Sequence, residues 1–183
     1  MKIRDLITQD KATLSFEVFP PKKDTDFAEV EAAALGIADL KPDYMSILVG
    51  VNDVWHEFSN HNGVDPEKFE KIYCMLIEEL TANLPGIKLM LLEPFVLPGS
   101  ATCDTEEFPD KYRQFSERVK INAETTKRVA AKYSVPFVPL QNKFDEACKA
   151  AEPSYWLVDG VHPSACGHEI IKREWLRTFA ESF

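Results

Sequence analysis

The sequence has no hydrophobic run long enough to cross a membrane, and its few cysteines form no cluster. No apolar stretch approaches the roughly 18 to 20 residues that a bilayer-spanning helix needs. Charged side chains interrupt the first twenty residues, so these do not have the pattern of a secretory signal. The four cysteines stand far apart, without the spacing of a metal site. We therefore expect a cytoplasmic chain that keeps its cysteines as thiols and binds no metal.

Positive charge is also scarce. Lys and Arg number 21 against 30 Asp and Glu, which leaves a formal net charge of −9 at pH 7. An acidic surface repels nucleic-acid phosphates and anionic lipids. The sequence also contains neither a P-loop nor a Gly-x-Gly-x-x-Gly motif, two signatures of nucleotide binding. These features predict no nucleic-acid partner, no membrane partner and no cofactor.

The length of 183 residues suits a single domain, and the hydrophobic share of 45% is that of an ordinary globular protein. Short apolar runs alternate with longer segments of helical periodicity, a pattern typical of βα units. We predict an α/β fold with three layers and a mostly parallel, flavodoxin-like sheet. The predicted strands are residues 12–18, 44–50, 87–92 and 136–138.

Periodicity and capping residues also predict five helices. Asp65, followed by Pro66, has the residue types of a helix start. In the third helix, Ile121 is among the residues predicted to point inward. The predicted helices are residues 26–40, one that begins at 65–66, 110–133, 142–150 and 164–180. Three segments without periodicity are predicted as loops: residues 51–64, 93–109 and 152–163. We expect them near the carboxyl ends of the strands, where α/β proteins bind ligands.

A pair of residues suited to acid–base chemistry stands near the C-terminus. Asp159 precedes His162 by three residues in Asp-Gly-Val-His-Pro-Ser, on a predicted loop before the last helix. At this spacing the carboxylate can hold the imidazole in one tautomer while the other ring nitrogen acts as a general base. The alternative is structural, with Asp159 capping a turn and His162 half exposed before Pro163.

A candidate oxyanion donor follows the predicted strand 44–50. Gly50 permits close approach to the backbone there, and the side-chain amide of Asn52 comes two residues later. The same residues also suit an ordinary turn. Trp55, beside them, is a candidate for the wall of an acyl pocket.

Together the two motifs resemble the third and fifth sequence blocks of the SGNH, or GDSL-type, hydrolases, and the resemblance extends over residues 44–183. It includes Leu91-Leu92-Glu93-Pro94, which is typical of relatives that act on small acyl esters. The resemblance implies that His162 is the general base, that Asp159 orients it and that Asn52 donates to the oxyanion. It also implies an esterase or lipase architecture with a small ester as substrate.

The nucleophile of that family is a serine in Gly-Asp-Ser after the first strand, and this sequence contains no Gly-Asp-Ser. The second block, whose glycine donates a backbone N–H to the same oxyanion, is absent as well. One βα unit is therefore expected to be missing, with little or no hydrolase activity as the result. Ser15 is the only serine on the first predicted strand. As a substitute nucleophile it would instead give an active small-ester hydrolase.

The first 46 residues resemble a different family. The segments that carry the resemblance are Ser15-Phe16-Glu17-Val18-Phe19-Pro20-Pro21-Lys22 and Leu40-Lys41-Pro42-Asp43-Tyr44-Met45-Ser46. They are similar to the opening βαβ unit of the methylenetetrahydrofolate reductases, which are flavin-dependent TIM barrels. The resemblance implies that Glu17 matches the acid that protonates the folate. A flavin- or folate-binding remnant is therefore a further alternative, although the later strands of that barrel have no counterpart here.

The two resemblances meet within or just before residues 44–50. They predict a chimera, within one domain, of a TIM-barrel fragment over 1–46 and a hydrolase fragment over 44–183. A junction in a helix-to-strand element that both families share preserves the right-handed βαβ crossover. An engineered origin explains such a chain better than a natural enzyme does. The lost unit would expose an edge of the sheet, which predicts a homodimer through that edge.

Overall fold

The structure is a computed structural model that describes residue 36 and residues 41–183. In this part of the chain three parallel strands form one sheet in the order β1-β2-β3. The strands are β1, Tyr44–Ile47, β2, Lys88–Leu92, and β3, Phe137–Val138.

The register of the sheet brings the loops that follow the strands to one edge. Met45 of β1 lies opposite Leu89 of β2, and Leu91 of β2 lies opposite Phe137 of β3. Parallel neighbours align their carboxyl ends, so the segments that leave the three strands start side by side. This edge is where the predicted loops with site residues meet.

Six helices connect and cover the strands between residues 41 and 183. They are α1, Val51–Asn60, α2, Pro66–Asn83, α3, Lys111–Lys132, α4, Gln141–Ala147, α5, Pro153–Trp156, and α6, Ala165–Ser182. None of these helices is long and apolar enough to span a membrane.

Strand β2 shows why the fold has three layers. Leu89 and Leu91 face a buried cluster with the apolar residues of α2 and the end of α3. Met90 and Leu92 face the opposite cluster, which contains Phe144 of α4 and Phe179 of α6. A strand buried on both faces needs apolar residues at successive positions, as β2 has. The predicted three-layer α/β architecture with a parallel sheet is confirmed.

The start of α2 follows its predicted capping signal. The side chain of Asp65 accepts a hydrogen bond from the backbone N–H of Lys68 at 2.9 Å, and Pro66 occupies the first helical position. This is the geometry that a capping carboxylate and a proline provide at a helix start.

The prediction of a loop over residues 51–64 is wrong for its first part, because residues 51–60 form α1. Val51, Val54, Trp55 and Phe58 recur at helical spacing and pack on one apolar cluster. The helix start carries no capping side chain, since Gly50 precedes it in a left-handed conformation. A helix that is stabilised by tertiary contacts gives no capping signal in the sequence.

Two further predictions need correction. Ile121 is 42% exposed, so it does not point inward. The buried side of α3 instead contains Phe115, Val119 and Ala123, and position 121 falls on the opposite side of a 3.6-residue turn. The predicted loop 152–163 also contains the short helix α5. The predicted strand 12–18 and helix 26–40 lie outside the described residues, apart from Gly36.

Candidate active site

Asp159 and His162 form a hydrogen-bonded pair in the loop before α6. Oδ2 of Asp159 lies 2.7 Å from Nδ1 of His162. The other carboxylate oxygen, Oδ1, accepts hydrogen bonds from the backbone N–H groups of Val161 at 3.1 Å and His162 at 2.9 Å. The carboxylate thus folds the turn and holds the imidazole through the same side chain.

The electrostatics of this pair keep Asp159 ionised. Partial burial of Asp159 acts to raise its pKa, but the hydrogen bonds from His162 and Val161 outweigh burial and hold the pKa below its usual value. An ionised Asp159 accepts a hydrogen bond from Nδ1–H of His162, so the free lone pair of the imidazole is on Nε2. The His162 side chain is 68% exposed, so Nε2 is accessible to a substrate. The pair can therefore act as an oriented general base.

A second loop, residues 97–103, is hydrogen-bonded to the turn that contains Asp159. The backbone N–H of Leu97 donates to the carbonyl of Gly160, and the N–H of Ala101 donates to the carbonyl of Asp159, each at 2.9 Å. Thr102 is fully buried, and its hydroxyl donates to the carbonyl of Leu97 at 2.9 Å. These bonds hold loop 97–103 against the backbone of Asp159 and Gly160.

Asn52 lies in the first turn of α1, directly after the carboxyl end of β1. Gly50 precedes the helix with φ of +115°, a conformation that a residue with a side chain rarely adopts. The carbonyl of Gly50 accepts a hydrogen bond at 2.8 Å from the side-chain amide of Asn122, which is buried on α3. Asn122 therefore ties the start of α1, and with it Asn52, to α3.

Trp55 connects the two parts of the site. Its ring lies 5.7 Å from the His162 ring, centre to centre, at an angle of 59°. Asn52 and Trp55 are three positions apart on α1, so they lie on one side of the helix. The structure thus brings Asp159 and His162 into direct contact. It places Asn52 on the side of α1 that meets the His162 loop.

Asp53 is a buried carboxyl beside Asn52. It is 3% exposed, and its Oδ2 has no hydrogen-bond partner among residues 41–183. Burial raises the pKa of Asp53 to about 6, against a partial opposing effect of a backbone hydrogen bond. The sequence gave no sign of a buried carboxyl at this position.

Glu93, in the segment Leu91-Leu92-Glu93-Pro94, holds the start of α4. Its Oε2 accepts hydrogen bonds from the backbone N–H groups of Leu140 at 2.6 Å and Gln141 at 2.9 Å. A carboxylate at a helix start stabilises the free N–H groups there. The contacts of Glu93 within residues 41–183 are therefore those of a structural residue.

Sequence reasoning missed Asn122, Thr102 and Asp53. Asn122 pairs with a residue 72 positions away, and Thr102 sits in a segment without periodicity. No local pattern reports such contacts, because they depend on how α3 and the loops pack. The sequence places Trp55 beside Asn52, but its contact with His162 appears only in the structure.

We expect the replacement Asn122→Ala to lower the free energy of unfolding by about 1–2 kcal/mol, since a buried carbonyl loses a partner. Urea unfolding followed by circular dichroism measures this difference. Asn142→Ala is the matched control, because Asn142 is an exposed asparagine on α4. Equal stability losses in the two variants would contradict a special role of the Asn122 bond to Gly50.

Helices on both faces of a parallel sheet define a three-layer α/β fold, and the Asp–His pair at the carboxyl edge is a candidate acid–base site. Comparison with known families gives the narrower class. Residues 24–170 match the GDSL-like lipase/acylhydrolase family, which is most of the chain. The chain belongs to this family, and the resemblance found in residues 44–183 is confirmed at the family level.

Known relatives agree with this assignment. An acetylxylan esterase from Geobacillus stearothermophilus is 30% identical over 141 residues, which are 75% of this chain and 59% of that esterase. The solved structure of the acetylxylan esterase Axe2 from the same organism has 28% identity and a TM-score of 0.66. The match covers 83% of this chain and 66% of the Axe2 chain.

A second solved structure shows the fold alone. LAE5, an α/β hydrolase from the metagenome of Lake Arreo, Spain, has 24% identity and a TM-score of 0.68, with coverage of 83% of this chain and 66% of that one. The chain spans less than two thirds of the length of these relatives.

No comparison supports the resemblance of residues 1–46 to methylenetetrahydrofolate reductase. The family match begins at residue 24, inside that segment. Ser15 and Glu17 lie outside the described residues. The chimera, its engineered origin and the homodimer therefore stay predictions from the sequence.

Proposed function

We propose that this chain carries the base and oxyanion side of a carboxylic-ester hydrolase, and that its turnover is slow because the sequence has no Gly-Asp-Ser. The observation that carries the proposal is the 2.7 Å contact between Asp159 Oδ2 and His162 Nδ1, with His162 exposed to solvent. An imidazole held in one tautomer beside an accessible surface suits proton transfer. Membership of the acylhydrolase family supports an ester as the substrate.

The reaction would use His162 twice. An attacking water or hydroxyl gives its proton to Nε2 of His162 while its oxygen bonds to the ester carbonyl carbon. The negative charge then develops on the carbonyl oxygen, where the amide of Asn52 donates a hydrogen bond. When the intermediate collapses, the bond to the alcohol oxygen breaks and His162 returns the proton to it. With water as the attacker, the products are a carboxylic acid and the alcohol.

Asp159 contributes orientation and charge. Its carboxylate stabilises the imidazolium that forms when His162 accepts the proton. The pair alone supplies only part of the rate of a complete site, because removal of one member of a catalytic triad leaves mainly binding and oxyanion stabilisation. A chain without the family's serine is therefore expected to turn over slowly.

The comparison with relatives supports an acetyl ester of a sugar as the substrate class of this chain. The curated relative is an acetylxylan esterase, and the segment Leu91–Pro94 resembles that of enzymes acting on small acyl groups. The net charge of −9 disfavours anionic substrates. A neutral, short-chain ester agrees with these features.

Hydrolysis of p-nitrophenyl acetate by the full chain tests this proposal. We expect a slow rate above the buffer background, and a loss of at least about tenfold in His162→Ala, since a general base contributes about 100-fold or more in complete sites. His168→Ala is the matched control, because His168 is an exposed histidine outside the pair. It corrects for ester cleavage by any surface imidazole.

Two results would contradict the proposal. If His162→Ala and His168→Ala lose the same small share of the rate, His162 is not the base of an active site. If Ser15→Ala abolishes a fast rate while circular dichroism shows a folded protein, Ser15 is a substitute nucleophile and the chain is an active esterase.

A further inference from the structure

Trp55 differs from the other two tryptophans in its polar contacts. The indole N–H of Trp156 donates to the carbonyl of Ala151 at 3.4 Å, and that of Trp175 donates to the hydroxyl of Ser46 at 2.6 Å. The indole N–H of Trp55 has no hydrogen-bond partner within residues 41–183. Buried indoles usually have a partner, whereas the N–H of the half-buried Trp55 is left for solvent or a ligand. Trp55 therefore offers a free donor at the candidate site.

The ring of Trp55 is fixed by apolar contacts with its neighbours. It packs on an apolar cluster formed by α1, α3 and the loops around the site. The buried members of this cluster are Val54, Val96, Phe115, Val119 and Val161. The half-buried ring is backed by these residues and borders His162 at 5.7 Å. A rigid aromatic surface binds a ligand at low entropic cost.

The position on α1 relates this ring to the ester. Trp55 lies three residues, or about 4.5 Å, beyond Asn52 along the helix axis. In the proposed reaction the alcohol oxygen receives its proton from His162, so the alcohol part of the ester lies beside this imidazole. Trp55 therefore borders the alcohol part, and not the acyl part as the sequence suggested. The base, His162, borders the same ring.

We propose that Trp55 is a specificity-determining residue that stacks on the neutral pyranose ring of the alcohol part of the substrate. The proposal rests on the proposed function for the position of the ester bond. A pyranose has a C–H face that matches an aromatic ring and oxygen atoms that accept the free indole N–H. Its neutrality matches a chain with a net charge of −9.

Methyl β-D-xylopyranoside, a pyranoside without an ester bond, tests this binding on the full chain. Each of the three tryptophans gives an indole N–H signal in a ¹⁵N-labelled protein. We expect the Trp55 signal, assigned by its absence in Trp55→Phe, to shift on titration while the Trp156 and Trp175 signals stay unchanged. The two other indoles are internal controls for non-specific effects.

Variants of Trp55 separate the contribution of the aromatic ring to binding from that of the indole N–H. We expect Trp55→Leu to raise the Kd for the pyranoside by at least about tenfold, because the aromatic surface is lost. Trp55→Phe keeps a ring without the donor, so we expect a smaller rise. Trp175→Phe, which removes an indole that is bonded to Ser46, is expected to leave the Kd unchanged.

The outcomes separate this proposal from the proposed function. Trp55-dependent binding of the pyranoside supports the subsite whether or not p-nitrophenyl acetate is hydrolysed. Hydrolysis that depends on His162, together with equal or undetectable pyranoside binding in the wild type and Trp55→Leu, overturns the subsite and leaves the proposed function intact. Neither binding nor hydrolysis by the folded chain overturns both.

Discussion

Replacement of Gly99 by alanine is expected to destabilise the protein by about 3 kcal/mol and to displace the Asp159–His162 pair. A Cβ atom at position 99 would lie 2.2 Å from the carbonyl carbon of Asp159 and 2.3 Å from the backbone nitrogen of Gly160. Both neighbours are backbone atoms, so no side chain can move aside. The two loops must separate, and the hydrogen bonds that hold Asp159 are then strained.

Urea unfolding of the variant and the wild type measures this loss. Ser100→Ala is the matched control, because Ser100 is the next residue and is exposed. A stability loss below about 1 kcal/mol in Gly99→Ala would show that the two loops adapt without cost. In that case loop 97–103 does not determine where Asp159 lies.

Asp53→Asn is expected to stabilise the protein above pH 6. Burial raises the pKa of Asp53 to about 6 from an ordinary value of 3.8. The folded state therefore binds more protons than the unfolded state between these two values, and the free energy of unfolding falls as pH rises through this window. The difference in pKa corresponds to about 3 kcal/mol as an upper bound. Asparagine at this position avoids the ionisation.

Unfolding of the wild type and Asp53→Asn in urea at pH 4, 6 and 8 tests this expectation. The gain in free energy of unfolding of Asp53→Asn over the wild type should be near zero at pH 4, where both side chains are neutral in the folded state. It should reach its full size by pH 8. Asp43→Asn is the matched control, because Asp43 is an exposed carboxylate at the other end of β1. A gain of equal size at all three pH values would mean that ionisation of Asp53 does not limit stability.

Local signals predicted the elements that carry their own caps and periodicity. Helix α2 begins at Pro66 with Asp65 as its cap, and the apolar run of β2 is buried on both faces, as expected. Helix α1 was missed although its apolar residues recur at helical spacing. Its start at Gly50 lacks a capping side chain, and it is held by Asn122 and by the cluster that contains Val54.

The same distinction applies to the site. Asp159 and His162 are three residues apart, so a single turn can bring them together, and the structure shows that it does. The neighbours Asn52 and Asp53 face different surroundings. Asn52 is half-buried beside Trp55, whereas Asp53 is buried and its Oδ2 has no partner in the part of the chain that the structure describes. Nothing in the two residue types decides which of them faces the interior.

The sequence by itself determined the class of fold, the pairing of Asp159 with His162 and the absence of the family's Gly-Asp-Ser, because periodicity, short spacings and motifs are local properties of the chain. Only the tertiary structure decided that Trp55 meets His162, that Asn122 holds Gly50 and that Gly99 supports the turn of Asp159. These contacts join segments far apart in the chain. They form because helices and loops pack closely around the sheet, and this packing determines which side chains meet.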